Sequence, residues 1–335
     1  HQLRALIVTP TRELAAQVRE SVNTYSKYLS IRSTAVYGGA RIHNQKLKLR
    51  KGIDILVATP GRLLDLHNQK SVNLKNIEIL VLDEADQMLD MGFIHDIKKI
   101  ANLLPDRRQN LMFTATFSDS FRSLAMNMAE KAIEISVTND NETGENINHY
   151  IHPVDKSRKA ELLIELIKTK KWDQALVFTR TKHGADRLQK QLDEVNINSK
   201  AIHGNKTQNN RMKALEAFKN NKIQILVATD VAARGIDIKR MSQVINFDVP
   251  TVAKDYVHRI GRTGRGGDMG EAITLVSADE FRLLRDIEKL INKKLERVEI
   301  EGFEPEHVVP IKDKPNKKRF HNKKGFKKRN KSRKG

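Results

Sequence analysis

Two α/β lobes, each a doubly wound parallel sheet wrapped by helices, followed by a basic tail, are what the sequence predicts. Three observations carry this. Short Ile/Leu/Val-rich runs alternate with amphipathic segments along most of the 335 residues. The runs show no strict apolar–polar alternation, which marks strands buried on both faces, as in a parallel sheet covered by helices. The pentapeptide ILVAT occurs at 55–59 and again at 225–229, each time closing a strand-like run before a helix-like segment, as a duplicated α/β unit would place it.

The elements follow in order. Strands are expected at 5–8, 33–36, 53–58, 77–82 and 110–113, with helices at 11–28, 61–69 and 92–104 between them. The rhythm stops at 138–148, TNDNETGENIN, which is polar, holds a glycine and has no apolar period, so it reads as a linker. It resumes with strands at 175–179, 199–202, 224–228, 243–246 and 272–276, and helices at 156–170, 182–195, 208–219 and 278–294. The expected division is a first lobe over 1–137, a linker over 138–148, a second lobe over 149–300 and a tail over 301–335. The tail is rich in Lys, Arg, Asn and Gly and cannot bury enough apolar surface to fold alone. The chain opens on His1-Gln2-Leu3-Arg4, without Met, and enters a strand at once, so an N-terminally truncated first lobe is expected.

Composition narrows the partners. No run approaches 18 apolar residues, so no helix is expected to span a membrane. The chain has no cysteine, which excludes disulfides, zinc–thiolate sites and thiol nucleophiles and suits a cytoplasmic setting. Lys and Arg number 61 against 41 acids, a net of +20, and 312–335 alone carry 13 basic residues and one acid. Such an excess favours a polyanion, nucleic acid first, through counterion release; a tail that only aids solubility is the alternative.

The chemistry concentrates at strand ends. The run Ile79-Leu80-Val81-Leu82 delivers Asp83, Glu84 and Asp86 to the carboxyl edge of a buried strand, where open parallel sheets bind ligands. Adjacent Asp and Glu there can divide labour, one holding Mg2+ through water and the other orienting an attacking water; alternatively Asp83 only caps the next helix. In the second half, His258-Arg259-Ile260-Gly261-Arg262-Thr263-Gly264-Arg265 sets three arginines among small residues, a pattern suited to phosphate. Arginines on one lobe facing carboxylates on the other are what a cleft enzyme needs. A further carboxylate is Asp237. Pro10-Thr11-Arg12-Glu13, Gly38-Gly39, Thr59-Pro60-Gly61-Arg62, His203-Gly204, Gln208 with Arg211, and Thr229 all fall at strand ends or helix starts. Free backbone N–H groups there favour a sugar-phosphate backbone. Aromatic residues are only 5% and none clusters with these segments, so backbone gripping with little sequence preference is expected over base stacking.

These segments resemble the DEAD-box RNA helicases. From about residue 4 to about 276 the chain carries PTRELAAQ (10–17), Gly38-Gly39, TPGR (59–62), DEAD (83–86), TAT (114–116), VFTRTK (177–182), HGNKTQNNR (203–211), ATDVAARGID (228–237) and HRIGRTGR (258–265), in the family's order. The wording around them is similar to the bacterial RhlE-type branch. The resemblance implies two RecA-like lobes with ATP and RNA bound across the cleft. It implies that Asp83 approaches Mg2+ and Glu84 positions the hydrolytic water. Asp86 would link to Thr114, Thr116 and His258; Arg262 and Arg265 would reach the γ-phosphate; Gly235 and Asp237 would meet the nucleotide from the second lobe. Thr11, Arg12, Gly39, Thr59, Gly61, Arg62, Gly204, Arg211 and Thr229 would hold RNA.

Two departures stand out. Thr114 occupies a place where the family often has Ser, with the hydroxyl kept. No G-x-x-x-x-G-K-[ST] occurs; the resemblance implies that this phosphate loop and an adenine-reading Gln segment precede Arg4, and negligible ATP hydrolysis is expected of these 335 residues alone. The expected function is an ATP-dependent RNA helicase separating short duplexes or remodelling RNA–protein complexes, with ribosome assembly or RNA turnover as its setting. The alternatives are a non-catalytic RNA clamp or chaperone, and a DNA helicase.

Overall fold

A computed structural model describes residues 1–129, 132–136, 146–233, 241–264, 269–307 and 309. Most of the expected linker, the tail from 310, and Gly235, Asp237 and Arg265 lie outside the described residues.

The first half forms β1 (Ala5–Val8), α1 (Arg12–Tyr25), β2 (Ser33–Val36), α2 (Ile42–Arg50), β3 (Ile55–Ala58), α3 (Pro60–Asn68), β4 (Ile79–Leu82), α4 (Ala85–Asp90), α5 (Ile94–Asn102), β5 (Gln109–Met112) and α6 (Asp119–Met128). The second forms β6 (Ile147–Pro153), α7 (Lys159–Thr169), β7 (Ala175–Thr179), α8 (Lys182–Glu194), β8 (Ser199–Ile202), α9 (Gln208–Lys219), β9 (Ile225–Thr229), α10 (Asp230–Ala233), β10 (Gln243–Asn246), α11 (Ala253–Ile260), β11 (Gly270–Val276), α12 (Phe281–Leu290) and β12 (Glu296–Arg297).

The strands make two all-parallel sheets, ordered β2-β3-β1-β4-β5 and β8-β9-β7-β10-β11-β6-β12. The first five strands of each sheet follow one connectivity. The two ILVAT segments fall at equivalent places, β3 between β2 and β1, and β9 between β8 and β7. Leu6, Leu56, Leu80 and Leu82 fill the first core and Leu176, Val227, Ile245 and Ile273 the second, all buried, as strands covered on both faces require. The sheets differ at one edge. β11 is covered by β6, whereas Leu111 on β5 and Phe113 just past it are exposed.

Several expectations shift. The helix expected over 11–28 stops at Tyr25, because Tyr25, Tyr28 and Leu29 have no apolar surface to pack against. The helix expected over 278–294 begins as a 3-10 turn, Ala278–Glu280, under a capping box on Ser277. β6 starts at Ile147, inside the segment expected to link the lobes. Its INHYIHP sequence hides a strand behind two histidines, His149 and His152, that are buried in the fold. No helix among the described residues is long and apolar enough to cross a membrane.

Those histidines make stability depend on pH. His149 Nδ1 lies 3.1 Å from the Tyr256 hydroxyl and His152 Nδ1 lies 2.6 Å from the Val298 carbonyl. Burial holds both below the ordinary histidine range, with the charge of Lys293 adding to the effect at His149. The unfolded chain takes up these protons near pH 6.5, and the folded chain only at lower pH. Their stabilising contribution is therefore complete above about pH 6.5 and is lost as pH falls through the folded values. A lower urea midpoint for the second lobe at about pH 5.5 than at about 7.5 is expected, and His149→Gln should flatten that difference.

Candidate active site and nucleic-acid interface

β4 places the carboxylates. The Asp83 N–H donates to the Val8 carbonyl at 3.0 Å, extending the ladder by one residue. Glu84 then adopts φ 51° and ψ 51°, a left-handed conformation uncommon for a residue with a side chain, and α4 starts at once. The Ala85 N–H is held by the Phe113 carbonyl at 2.9 Å, which fixes the turn. Asp83 is not the cap of α4: the cap position is Glu84, with no side-chain cap bond, and Asp83 Oδ1 accepts the N–H of Glu84 at 3.1 Å. Burial raises the Asp83 pKa; the Glu84 N–H opposes that and the neighbouring charge of Asp86 reinforces it. No cationic side chain among the described residues pairs with Asp83. The carboxylate oxygens of half-buried Asp83 suit a hard divalent cation.

Asp86 is 5% exposed, and its Oδ2 accepts both the N–H and the hydroxyl of Thr116, each at 3.1 Å. Thr114 does not reach Asp86. Its hydroxyl donates to the Thr116 carbonyl at 2.8 Å and accepts the Thr116 N–H at 3.3 Å, so it braces the turn that presents Thr116. His258 is on α11 and forms no bond with Asp86, whose carboxylate is spent on Thr116 and on the N–H of Gln87. The expected three-way link is therefore a single pair, Asp86–Thr116.

The arginines divide. Arg259 is 2% exposed and structural: Nε and Nη2 meet the Asp230 carboxylate at 2.5 and 2.7 Å, and Nη1 meets Asn246 Oδ1 and the Asp248 carbonyl at 3.0 and 2.8 Å. This bidentate pair ties α11 to α10 and β10. Arg262, just past α11, is only half-buried. Gly264 does not make room for a ligand; it makes room for the chain. At φ +65° an added Cβ would lie 2.5 Å from Ile147 Cγ1 and 3.1 Å from the Asn146 carbonyl. Gly264→Ala should cost about 2 kcal/mol of second-lobe stability, read by urea unfolding.

The expected backbone-gripping residues gather on both lobes. Thr11 caps α1 by accepting the Leu14 N–H at 3.3 Å. Arg12 lies over the glycine pair: a Cβ on Gly39, at φ +76°, would fall 2.0 Å from Arg12 Nη1. Thr59 precedes α3 but makes no side-chain cap bond, and Gly61 in the first turn is exposed with open space above it. Arg62 Nη1 donates to the Ala40 carbonyl at 3.2 Å, joining the α3 start to the Gly38-Gly39 turn. In the second lobe Gly204 is exposed beside buried His203, and Thr229 ends β9. Arg211 is drawn across the cleft: its Nη2 lies 3.0 Å from Glu13 Oε2, and Gln208 Nε2 donates to Glu13 Oε1 at 2.8 Å. Burial lowers the Arg211 pKa, Glu13 opposes that, and the charge of Arg12 on the other lobe adds to it. Glu13, 1% exposed, is the group that sequence reasoning left without a role; its signal was an acid embedded in an otherwise phosphate-suited run. The Asp230–Arg259 pair gave no signal in the sequence, since both sit in runs that read as ligand-binding.

Two parallel-sheet lobes, carboxylates at a strand edge of one and arginines on the other, define a two-lobed nucleotide-type cleft protein. The DEAD/DEAH box helicase family matches residues 1–124 and the helicase conserved C-terminal domain matches 158–267. The DEAD-box ATP-dependent RNA helicase RhpA of Helicobacter pylori is 38% identical over 309 residues, which are 92% of this chain and 63% of that protein. The ATP-dependent RNA helicase DbpA of Bacillus subtilis is 38% identical over 322 residues, 94% of this chain and 67% of that one. Dbp5 of S. cerevisiae bound to RNA and ADP BeF3 superposes with a TM-score of 0.80 at 31% identity, covering 89% of this chain and 78% of that one. The chain belongs to the DEAD-box helicase family. It spans roughly two thirds of the length of the two curated relatives, 63% and 67%. A DEAD box protein of Methanococcus jannaschii is 38% identical but reaches a TM-score of only 0.52. Overall geometry here follows the RNA-bound Dbp5 more closely than that nearer sequence. The relatives named here do not carry the RhlE name.

Proposed function

We propose that the protein is an ATP-dependent RNA helicase or remodeller that hydrolyses ATP when RNA lies across its two lobes. The observation that carries this reading is the joint arrangement of Asp83, Glu84 and Asp86 at the β4 edge with Glu13 clamped by Gln208 and Arg211 of the other lobe. With the lobes together the charge of Arg12 acts on Arg211, and a phosphodiester near both would relieve that repulsion. RNA and closure thus favour one another.

Asp83 would hold Mg2+, through water, and the ion would supply charge neutralisation for a nucleotide's phosphates. Glu84, half-buried just past the strand end at the left-handed turn, orients the attacking water. Arg262, and with it Arg265, stabilises charge on the transferred phosphoryl group. Thr116 carries any change at Asp86 into the turn after β5. RNA is gripped by Arg12, Arg62, Thr59, Gly61, Gly204 and Thr229 through its backbone, with little sequence preference. A cytoplasmic location, an RhlE-type branch, and ribosomal or RNA-turnover complexes as partners belong to the same proposal.

The test is ATPase activity of the full-length protein with RNA, with matched DNA and without either, beside Glu84→Gln. RNA-selective stimulation and at least a hundredfold loss in Glu84→Gln are expected. Equal rates under all conditions would leave a non-catalytic clamp, and equal stimulation by DNA would make it a DNA helicase.

A further inference from the structure

We propose that the first lobe carries a second RNA surface outside the cleft, formed by α2 and the 27–32 turn and ending on Tyr25 and Tyr28, which takes the single-stranded RNA flank leaving the grip. This rests on the RNA reading above.

Residues 27–51 hold seven Lys and Arg and no acid. On α2 only Gln45 and Leu49 are buried, so its basic residues flank a narrow inner stripe and reach solvent. Among the described residues none of Arg41, Lys46, Lys48 and Arg50 forms a side-chain ion pair. The next carboxylate in sequence, Asp54, is occupied by His1 Nδ1 at 2.6 Å and by the Arg32 N–H at 2.8 Å. The helix gains little from this charge by itself. Lys46 and Arg50 are like charges one turn apart, which destabilises a helix. Lys48 and Arg50 suit its carboxyl end, but Arg41 opposes the dipole at the amino end. An external polyanion is what the pattern serves.

Position says which polyanion. α2 leaves directly from the grip, since the Ala40 carbonyl accepts Arg62 Nη1 at 3.2 Å and Gln45 Nε2 at 3.5 Å. Its nine residues carry positive charge about 13 Å toward the opposite edge of the sheet. There Arg32 Nη1 donates to the Lys51 carbonyl at 2.9 Å, joining the helix end to the 27–32 turn. Tyr25 and Tyr28 are 86% and 89% exposed, and Lys27 Nζ lies 5.3 Å from the Tyr28 ring centroid. Cations beside exposed aromatic rings form a platform on which unpaired bases stack while phosphates are neutralised. An acidic protein would use the cations and leave the rings idle.

The experiment measures binding of the full chain to oligouridylates of about 8 and about 24 nucleotides, the shorter sized to the grip alone. Lys46→Ala/Lys48→Ala/Arg50→Ala should leave the short RNA within twofold, weaken the long RNA about tenfold, and lower its salt slope by about 2, at about 0.7 per phosphate lost. Tyr25→Ala/Tyr28→Ala should weaken the long RNA with the slope unchanged. Lys46→Arg/Lys48→Arg/Arg50→Lys should restore binding, which separates charge from misfolding. Equal loss on both lengths, or none on the long RNA, overturns the proposal. So does a tenfold loss confined to polyglutamate, which would make an acidic protein the partner. If the short RNA fails to bind the unaltered chain while the long RNA still loses tenfold in the variant, the cleft reading fails and this surface stands.

Discussion

Lys159→Met is expected to lower the stability of the second lobe by about 3–5 kcal/mol, read as a fall in the urea midpoint. Lys159 is 1% exposed. Its Nζ donates to the Phe247 and Leu275 carbonyls at 2.9 and 2.8 Å and to Glu280 Oε2 at 2.5 Å. Burial pushes its pKa down, and the Glu280 charge is the main force against that. Glu280 is a hub: it also binds Arg180 Nη2 at 2.7 Å, the Val249 N–H at 3.2 Å, and the N–H and hydroxyl of Ser277 at 3.2 and 3.1 Å. Removing the lysine leaves a buried carboxylate short of its strongest counter-charge and two carbonyls without a donor, and both losses carry the full desolvation cost. Glu280→Gln should cost less, because an amide keeps part of the bonding while the lysine loses its counterion. A change under about 1 kcal/mol for Lys159→Met would mean that water replaces the ammonium in the site.

Glu13→Ala is expected to open the lobes. It should weaken RNA binding about a hundredfold or more and lower the efficiency of energy transfer between dyes on the two lobes. The carboxylate is buried with Gln208 and Arg211 bound to it, so its loss should strand Arg211 in the closed form and cost little in an open one. The effect therefore falls on the closed–open equilibrium and not on either lobe, whose unfolding midpoints should stay put. Gln208→Ala removes one hydrogen bond to the same carboxylate and should cost roughly 1 kcal/mol, about fivefold. Unchanged energy transfer in Glu13→Ala would show that closure does not depend on this contact.

The parallel sheets, the repeated ILVAT strand and the carboxylates at the β4 edge were legible in the sequence because they rest on local patterns. Those patterns are a run of aliphatic residues, a strand end and a following helix start. The elements that sequence reasoning passed over lack such patterns. α2 buries only two of its nine residues, and β6 carries histidines where aliphatic residues would have marked a strand. The helix expected to run through 278–294 opens on a 3-10 turn before α12 because Ser277 and Glu280 form a box that no window of periodicity reports.

By itself the sequence determined which residues stand at strand ends and which charges the chain carries. Only the tertiary structure decided which partners those charges have. Arg259, Arg262 and Gly264 share one motif, yet the first is buried on Asp230, the second stays half-exposed, and the glycine yields to the Asn146 backbone and the Ile147 side chain. Lys159 reads as an ordinary surface lysine and is among the largest fully buried side chains. Glu13 is about two hundred positions from Arg211 and is its ion partner. Period and composition act over a few residues, whereas desolvation and pairing depend on what the fold brings within about 4 Å, and no local pattern encodes that distance.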